Sequence, residues 1–102
     1  MIGRYKTMII GICTIELHLP GVGSLKDKRS IVKSLNSRLH REFNVSCTEV
    51  DLHDVWKSTV IGVAIISTAA GHAQGVLASV VRWIELNRPD VMIVDHSIEI
   101  IH

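Results

Sequence analysis

Residues 8–43 read MIIGICTIELHLPGVGSLKDKRSIVKSLNSRLHREF. Two periods meet in this stretch, with a break between them. From residue 8 to 19 the side chains alternate. One face carries Ile9, Gly11, Cys13, Ile15 and Leu17, and the other carries Met8, Ile10, Ile12, Thr14, Glu16 and His18. Apolar residues on both faces at its start predict a strand inside a sheet rather than at its edge. Pro20, Gly21 and Gly23 then stop it. Ser24 is a good helix N-cap, and Asp27 stands at the third helical position, a capping-box arrangement with Asp in the usual place of Glu. At ~100° per residue, Ile31, Leu35, Leu39, Val32 and Leu25 fall within about 120° of arc. Arg29, His40, Lys33, Lys26 and Arg41 fall on a separate arc. The pattern predicts an amphipathic helix with a basic stripe facing away from the core. Lys28 alone breaks the segregation, because it projects from the apolar arc. In the first turn it is expected to reach out past the sheet edge.

The same periods recur downstream. Residues 45–52 alternate as a strand, and residues 53–58 form a short loop. Residues 59–68 form a third strand, with Val60, Gly62, Ala64 and Ile66 on one face and Ile61, Val63 and Ile65 on the other. Ala73, Val76, Leu77, Val80, Val81 and Ile84 mark a second amphipathic helix that ends near Asn87-Arg88-Pro89. Residues 91–101 form the last strand. The order β-α-β-β-α-β predicts an α+β, ferredoxin-like domain. Its sheet has four antiparallel strands in the order 4-1-3-2, with both helices on one face. Residues 8–102 make one domain, and residues 1–7 read as an extension before it. At 102 residues, 47% of them apolar, the chain is long enough for a single core.

Charge is distributed unevenly. Six of the eleven Lys and Arg residues lie between Lys26 and Arg41, beside one acid, Asp27. The other five bases share the rest of the chain with nine acids. The predicted topology carries the first part of this segment to one sheet edge. There the first strand ends, the first helix begins, the second hairpin turns and the second helix ends. Lys26, Lys28, Arg29, Lys57 and Arg88 are expected at that edge, with Trp56 close to Asp51 and Asp54. Lysines and arginines neutralise phosphate and release counterions, and an exposed tryptophan stacks on an unpaired base. Lys26, Lys28, Arg29, Lys33, Trp56 and Lys57 are therefore the candidate nucleic-acid-binding residues. A solvated basic face with no ligand is the competing reading, and a small anion or an acidic protein is the other candidate partner.

Other chemistries have weaker support. Glu16, His18, Asp51, His53 and Asp54 share the edge without any recognised ligand spacing, so no metal or other cofactor is expected. There is no Gly-x-Ser-x-Gly, Walker or dinucleotide fingerprint, and a binding protein rather than an enzyme is expected. Aromatic residues of the kind that stack RNA on a ferredoxin-like sheet are absent from the first and third strands. Cys13 and Cys47 lie in alternating apolar runs without metal spacing, as expected of buried thiols in a reducing cytoplasm. No run reaches membrane-spanning length, and residues 1–6 lack the apolar core of a signal peptide. The central strands are apolar on both faces, the last strand is read the same way, and helices cover only one face. A homodimer that buries the open face is expected.

Four stretches carry a likeness to a known family: MIIGICTIELHLP at 8–20, SLKDKRSIVKSL at 24–35, FNVSCTEVD at 43–51 and DVWKSTVIGVAIIS at 54–67. Together they resemble the YlxP-like family of small bacterial proteins, a domain of unknown function. The Ser-Leu-Lys-x-Lys-Arg and Val-Asp-x-x-Asp-hydrophobic-Trp stretches are the specific ones. The Cys13-Thr14 pair and residues 72–75 depart from the family's pattern. The resemblance implies a ferredoxin-like fold and supplies no catalytic residue. Its members commonly begin at the position of Met8, which makes residues 1–7 an extension. Genes of the family often lie beside translation-initiation and ribosome-maturation genes, so the resemblance implies a role near the ribosome.

Overall fold

The computed structural model describes residues 7–102. Residues 1–6, most of the expected extension, lie outside that range. The elements are β1 (Ile9–His18), α1 (Leu25–Phe43), β2 (Ser46–Asp51), β3 (Ser58–Ser67), α2 (Ala70–Asn87) and β4 (Met92–Ile101). The strands form one sheet in the order β2-β3-β1-β4, antiparallel throughout. This is the expected 4-1-3-2 order read from the other edge. The fold is ferredoxin-like.

The core lies between the sheet and the two helices. Cys13, Ile15 and Leu17 of β1 and Ile61 and Val63 of β3 are buried against Leu35 and Leu39 of α1 and Leu77, Val80 and Ile84 of α2. Gly11 makes close approach possible. A Cβ there would stand 2.9 Å from Leu77 Cδ1 and 3.3 Å from Ala73 Cβ. An aromatic pair joins the helices, with Phe43 edge-on to Trp83 at 6.4 Å between ring centroids.

The start of α1 follows the expected capping with one difference. Ser24 Oγ accepts from the Asp27 N–H at 3.0 Å. The Asp27 carboxylate reaches back past the cap and accepts from Gly23 N–H at 3.3 Å. The end of α1 is set by Asn44, in the left-handed region at φ 52°, whose N–H bonds His40 O. The second helix begins three residues before its first buried position, Ala73, because the apolar period registers only the turns that touch the sheet.

The structure alters the reading of β4. A bulge between Glu16 and Leu17 shifts its register on β1. Glu16 pairs with Asp95 and Leu17 with Ile93, so Val94 is the extra residue. Asp95, Ser97 and Glu99 alternate on one face, and their pairing with Glu16, Thr14 and Ile12 sets it on the open side, which on β4 is apolar only toward its ends. The expectation of two apolar faces holds for the first part of β1 and for β3, not for β4.

Candidate functional site

The expected edge forms. Leu19 N–H bonds Lys57 O at 2.8 Å, which ties the end of β1 to the β2–β3 loop. His18 pairs with Ser58 on one side and Met92 on the other. The start of α1, the loop at 52–57 and the chain entering β4 therefore lie together.

Lys28 does not belong to the exposed stripe. Its side chain is wholly out of solvent, and its ammonium lies 2.9 Å from Glu49 Oε2. It also donates to Leu52 O, to Val55 O at 2.6 Å and, at the limit of a bond, to His53 O at 3.4 Å. The expectation that Lys28 reaches past the sheet edge is corrected: it turns inward, because four acceptors converge beneath the first turn of α1. An ammonium has three protons and needs a dense acceptor set once buried. Thr59 Oγ1 donates to the same Glu49 carboxylate. Burial alone pushes the Glu49 carboxyl upward. Hydrogen bonds from Thr59 and Lys28, and the Lys28 charge, outweigh that, and its pKa is held below the ordinary carboxylate value. Residue pattern does not single out Glu49 or Thr59 as partners of Lys28. A signal exists for one of them: Glu49 shares an alternating face with Val45 and Cys47, which point to the core.

The loop that Lys28 holds is a tight one. Leu52 takes φ 62°, an uncommon value for a side chain of its size. Its N–H is met by Asp51 Oδ1 at 2.7 Å, and its carbonyl accepts Val55 N–H at 3.1 Å as well as Lys28. With carbonyls 52 and 55 pinned, the next residue, Trp56, stands 52% exposed at the edge. The two specific sequence stretches thus meet physically: the second lysine of one holds the backbone of the other.

The remaining candidates are on the surface. Lys26, Arg29, Lys33 and Lys57 are exposed, and none has an ion-pair partner among the described residues. Arg41 is also free but stands in the last turn, ~22 Å along the helix from Lys26 at 1.5 Å per residue. Arg38 is engaged, by Glu42 at 3.2 Å and by the face of Trp83 at 5.3 Å. Arg88 is at the edge as expected but is held by a fork of bonds to Asp90 at 2.9 and 2.7 Å. The positive partial charge that any helix start carries is blunted here, because the Asp27 carboxylate occupies it.

The acids and histidines of the edge do not converge. His18 Nδ1 meets Lys57 O and His53 Nε2 meets Glu49 O. Among the described residues no three His, Cys, Asp or Glu side chains are placed to hold a metal ion. No helix of the described residues is long and apolar enough to cross a membrane.

A ferredoxin-like domain with a basic helix and a lysine-pinned loop is the class this geometry defines. The family model described as "Protein of unknown function (DUF503)" matches residues 10–98, and the chain belongs to that family. It is 32% identical over 77 residues to the uncharacterized protein YlxP of Bacillus subtilis strain 168, across 76% of this chain and 84% of that protein.

Proposed function

We propose that this protein acts by binding, not catalysis, as a cytoplasmic accessory of translation or ribosome assembly that holds RNA phosphate on the outer face of α1. One observation carries the reading. Lys26, Arg29 and Lys33 share one exposed face of α1 with no paired acid among the described residues, at the same sheet edge as an exposed Trp56 on a loop held by Lys28. Cations in that row meet successive phosphates, and the indole stacks on a base that is not paired. Lys57 extends the row onto the loop. Lys28 supports the site from below and touches no ligand.

The alternative partners, an anionic metabolite or an acidic protein, use the same charges. A small anion at the start of α1 competes with the Asp27 carboxylate already bonded there, which favours a partner that follows the stripe. The test is anisotropy of a labelled single-stranded ribosomal RNA fragment titrated with the protein between about 50 and 200 mM salt. Affinity should fall log-linearly with salt, and Trp56 emission should be quenched on binding. Salt-independent or absent RNA binding ends this reading. Salt-sensitive capture from lysate that survives RNase points to the acidic protein instead.

A further inference from the structure

The sheet face away from the helices is covered by neither helix. Its rows follow from the register. Ile66, Ile10 and Ile101 form the first row, and Ala64, Ile12 and Glu99 the second. Ile66 is 72% exposed and Ile101 44%. The relief across the face is uneven. On β3, Gly62 and Ala64 form a trough. On its two sides stand Val50, whose Cγ1 would lie 2.8 Å from a Cβ on Gly62, and the ridge of Ile10 and Ile12 on β1. The described part of the face carries no lysine or arginine, and its acids are Asp95 and Glu99 on β4, Glu16 on β1 and Asp51 at the end of β2.

We infer that this face is covered by a second copy of the chain, related by a two-fold axis that runs along the strands between β1 and β3. That axis lays β1 of one copy over β3 of the other, so each Ile12 ridge enters the partner's Ala64–Gly62 trough. Such a contact is self-complementary, as a two-fold interface must be. The same axis lays β4 over the partner's β2, so Glu99 faces the hydroxyl of Ser46, Ser97 faces that of Thr48, and Asp95 meets Asp51 at the rim. An axis across the strands instead stacks β4 on β4 and β1 on β1, ridge against ridge. The area is sufficient. Three strands of ten residues, about 33 Å long, and the six-residue β2, about 20 Å, spaced ~4.8 Å apart give a footprint of roughly 570 Å² per copy, about 1,100 Å² in all, above the ~1,000 Å² that a specific interface needs. The arrangement leaves both α1 helices outermost and brings both Trp56 edges to the same end of the dimer.

The inference rests on the sheet alone, so it stands or falls independently of RNA binding. Light scattering at tens of micromolar should give twice the chain mass. Ile66→Glu should give the single-chain mass with an unchanged circular dichroism spectrum, since that side chain is mostly exposed. In a Cys47→Ser background, Ser46→Cys mixed with Glu99→Cys should cross-link between chains through a bismaleimide of about 10 Å, while Glu99→Cys alone should not. Within one chain these positions sit three strand spacings apart, ~14 Å. A single-chain mass for the wild type, a dimer that persists in Ile66→Glu, or self-cross-linking of Glu99→Cys overturns the inference.

Discussion

Lys28 Nζ and Glu49 Oε2 lie 2.9 Å apart, with the lysine side chain wholly buried and the glutamate 15% exposed. The pair sits where α1 crosses the edge strand β2. It joins helix, strand and the 52–55 loop at one point. Removing one partner from such a pair leaves a buried charge without compensation, which commonly costs about 3–5 kcal/mol.

Lys28→Met should therefore be strongly destabilising, by about 3–5 kcal/mol, and should loosen the 52–55 loop. Urea unfolding gives the first quantity, and amide exchange at Val55 gives the second. Adding Glu49→Leu to Lys28→Met should recover only part of the loss. The carbonyls of Leu52 and Val55 still lack a donor, and each buried orphan costs about 1–3 kcal/mol. Full recovery by the double variant would show that the lysine's bonds to these carbonyls contribute little.

The Glu49 carboxyl is held below its ordinary pKa of 4.5. A group depressed on folding stabilises the fold above its unfolded value, and that contribution is lost as pH falls through the folded one. Wild-type stability should decline as pH drops below about 4.5. Glu49→Gln should begin less stable at pH 7 and show a shallower decline across the same window. Melting temperatures measured from pH 7 to pH 3 check both statements.

Lys26→Ala with Arg29→Ala should weaken RNA binding. On single-stranded RNA the log–log salt slope should flatten by about 0.7 for each phosphate that is no longer neutralised. Both side chains are exposed, so the melting temperature should hardly move. Arg41→Ala, at the other end of α1, should change affinity little. Equal effects from the two ends would mean that the whole helix, not its edge, meets the ligand.

Gly11→Ala should destabilise by about 1–3 kcal/mol through overpacking. The added methyl would meet Leu77, Ile65 and Ala73 at 2.9 to 3.3 Å. Gly75→Ala is the control, since its Cβ meets nothing within 4 Å and it lies inside a helix. It should stabilise by about 0.5–1 kcal/mol. Thermal unfolding of the two variants should move in opposite directions.

Cys13 is 1% exposed, and burial raises its pKa to about 11. Thiolate is the reactive form. A disulfide reagent at pH 8 should leave Cys13 untouched in the native protein and modify it after unfolding. Rapid native-state labelling, located by mass spectrometry, would contradict its burial.

Much of this molecule is legible from residue pattern. The alternation of Ile9, Gly11, Cys13, Ile15 and Leu17 marks the buried face of β1 correctly. The Ser24 cap and the Asn44 stop both lie where their chemistry predicts. Local periodicity reads such features because each depends on residues one turn or one pleat away. The position of Lys28 is legible as an anomaly, a cation in an apolar arc, and its direction is not. That direction depends on Glu49, 21 residues on, and on carbonyls whose aim is set by a left-handed Leu52.

The sequence by itself determined the order of elements, the sheet topology, the two helix faces and which edge collects the basic residues. These follow from periods of 2.0 and 3.6 and from the direction each strand must run. Tertiary structure alone decided which charges remain free. Arg38 and Arg88 look like Lys26 and Arg29 in sequence, yet one is taken by Glu42 and Trp83 and the other by Asp90. It also decided, through their pairing with Glu16, Thr14 and Ile12, that Asp95, Ser97 and Glu99 of β4 lie on the open face, and that a bulge next to them shifts the register of the strand's start. The physical reason is common to these cases. A charge is engaged or free according to what the fold brings within about 4 Å, and neither that distance nor a one-residue register shift is written in local sequence.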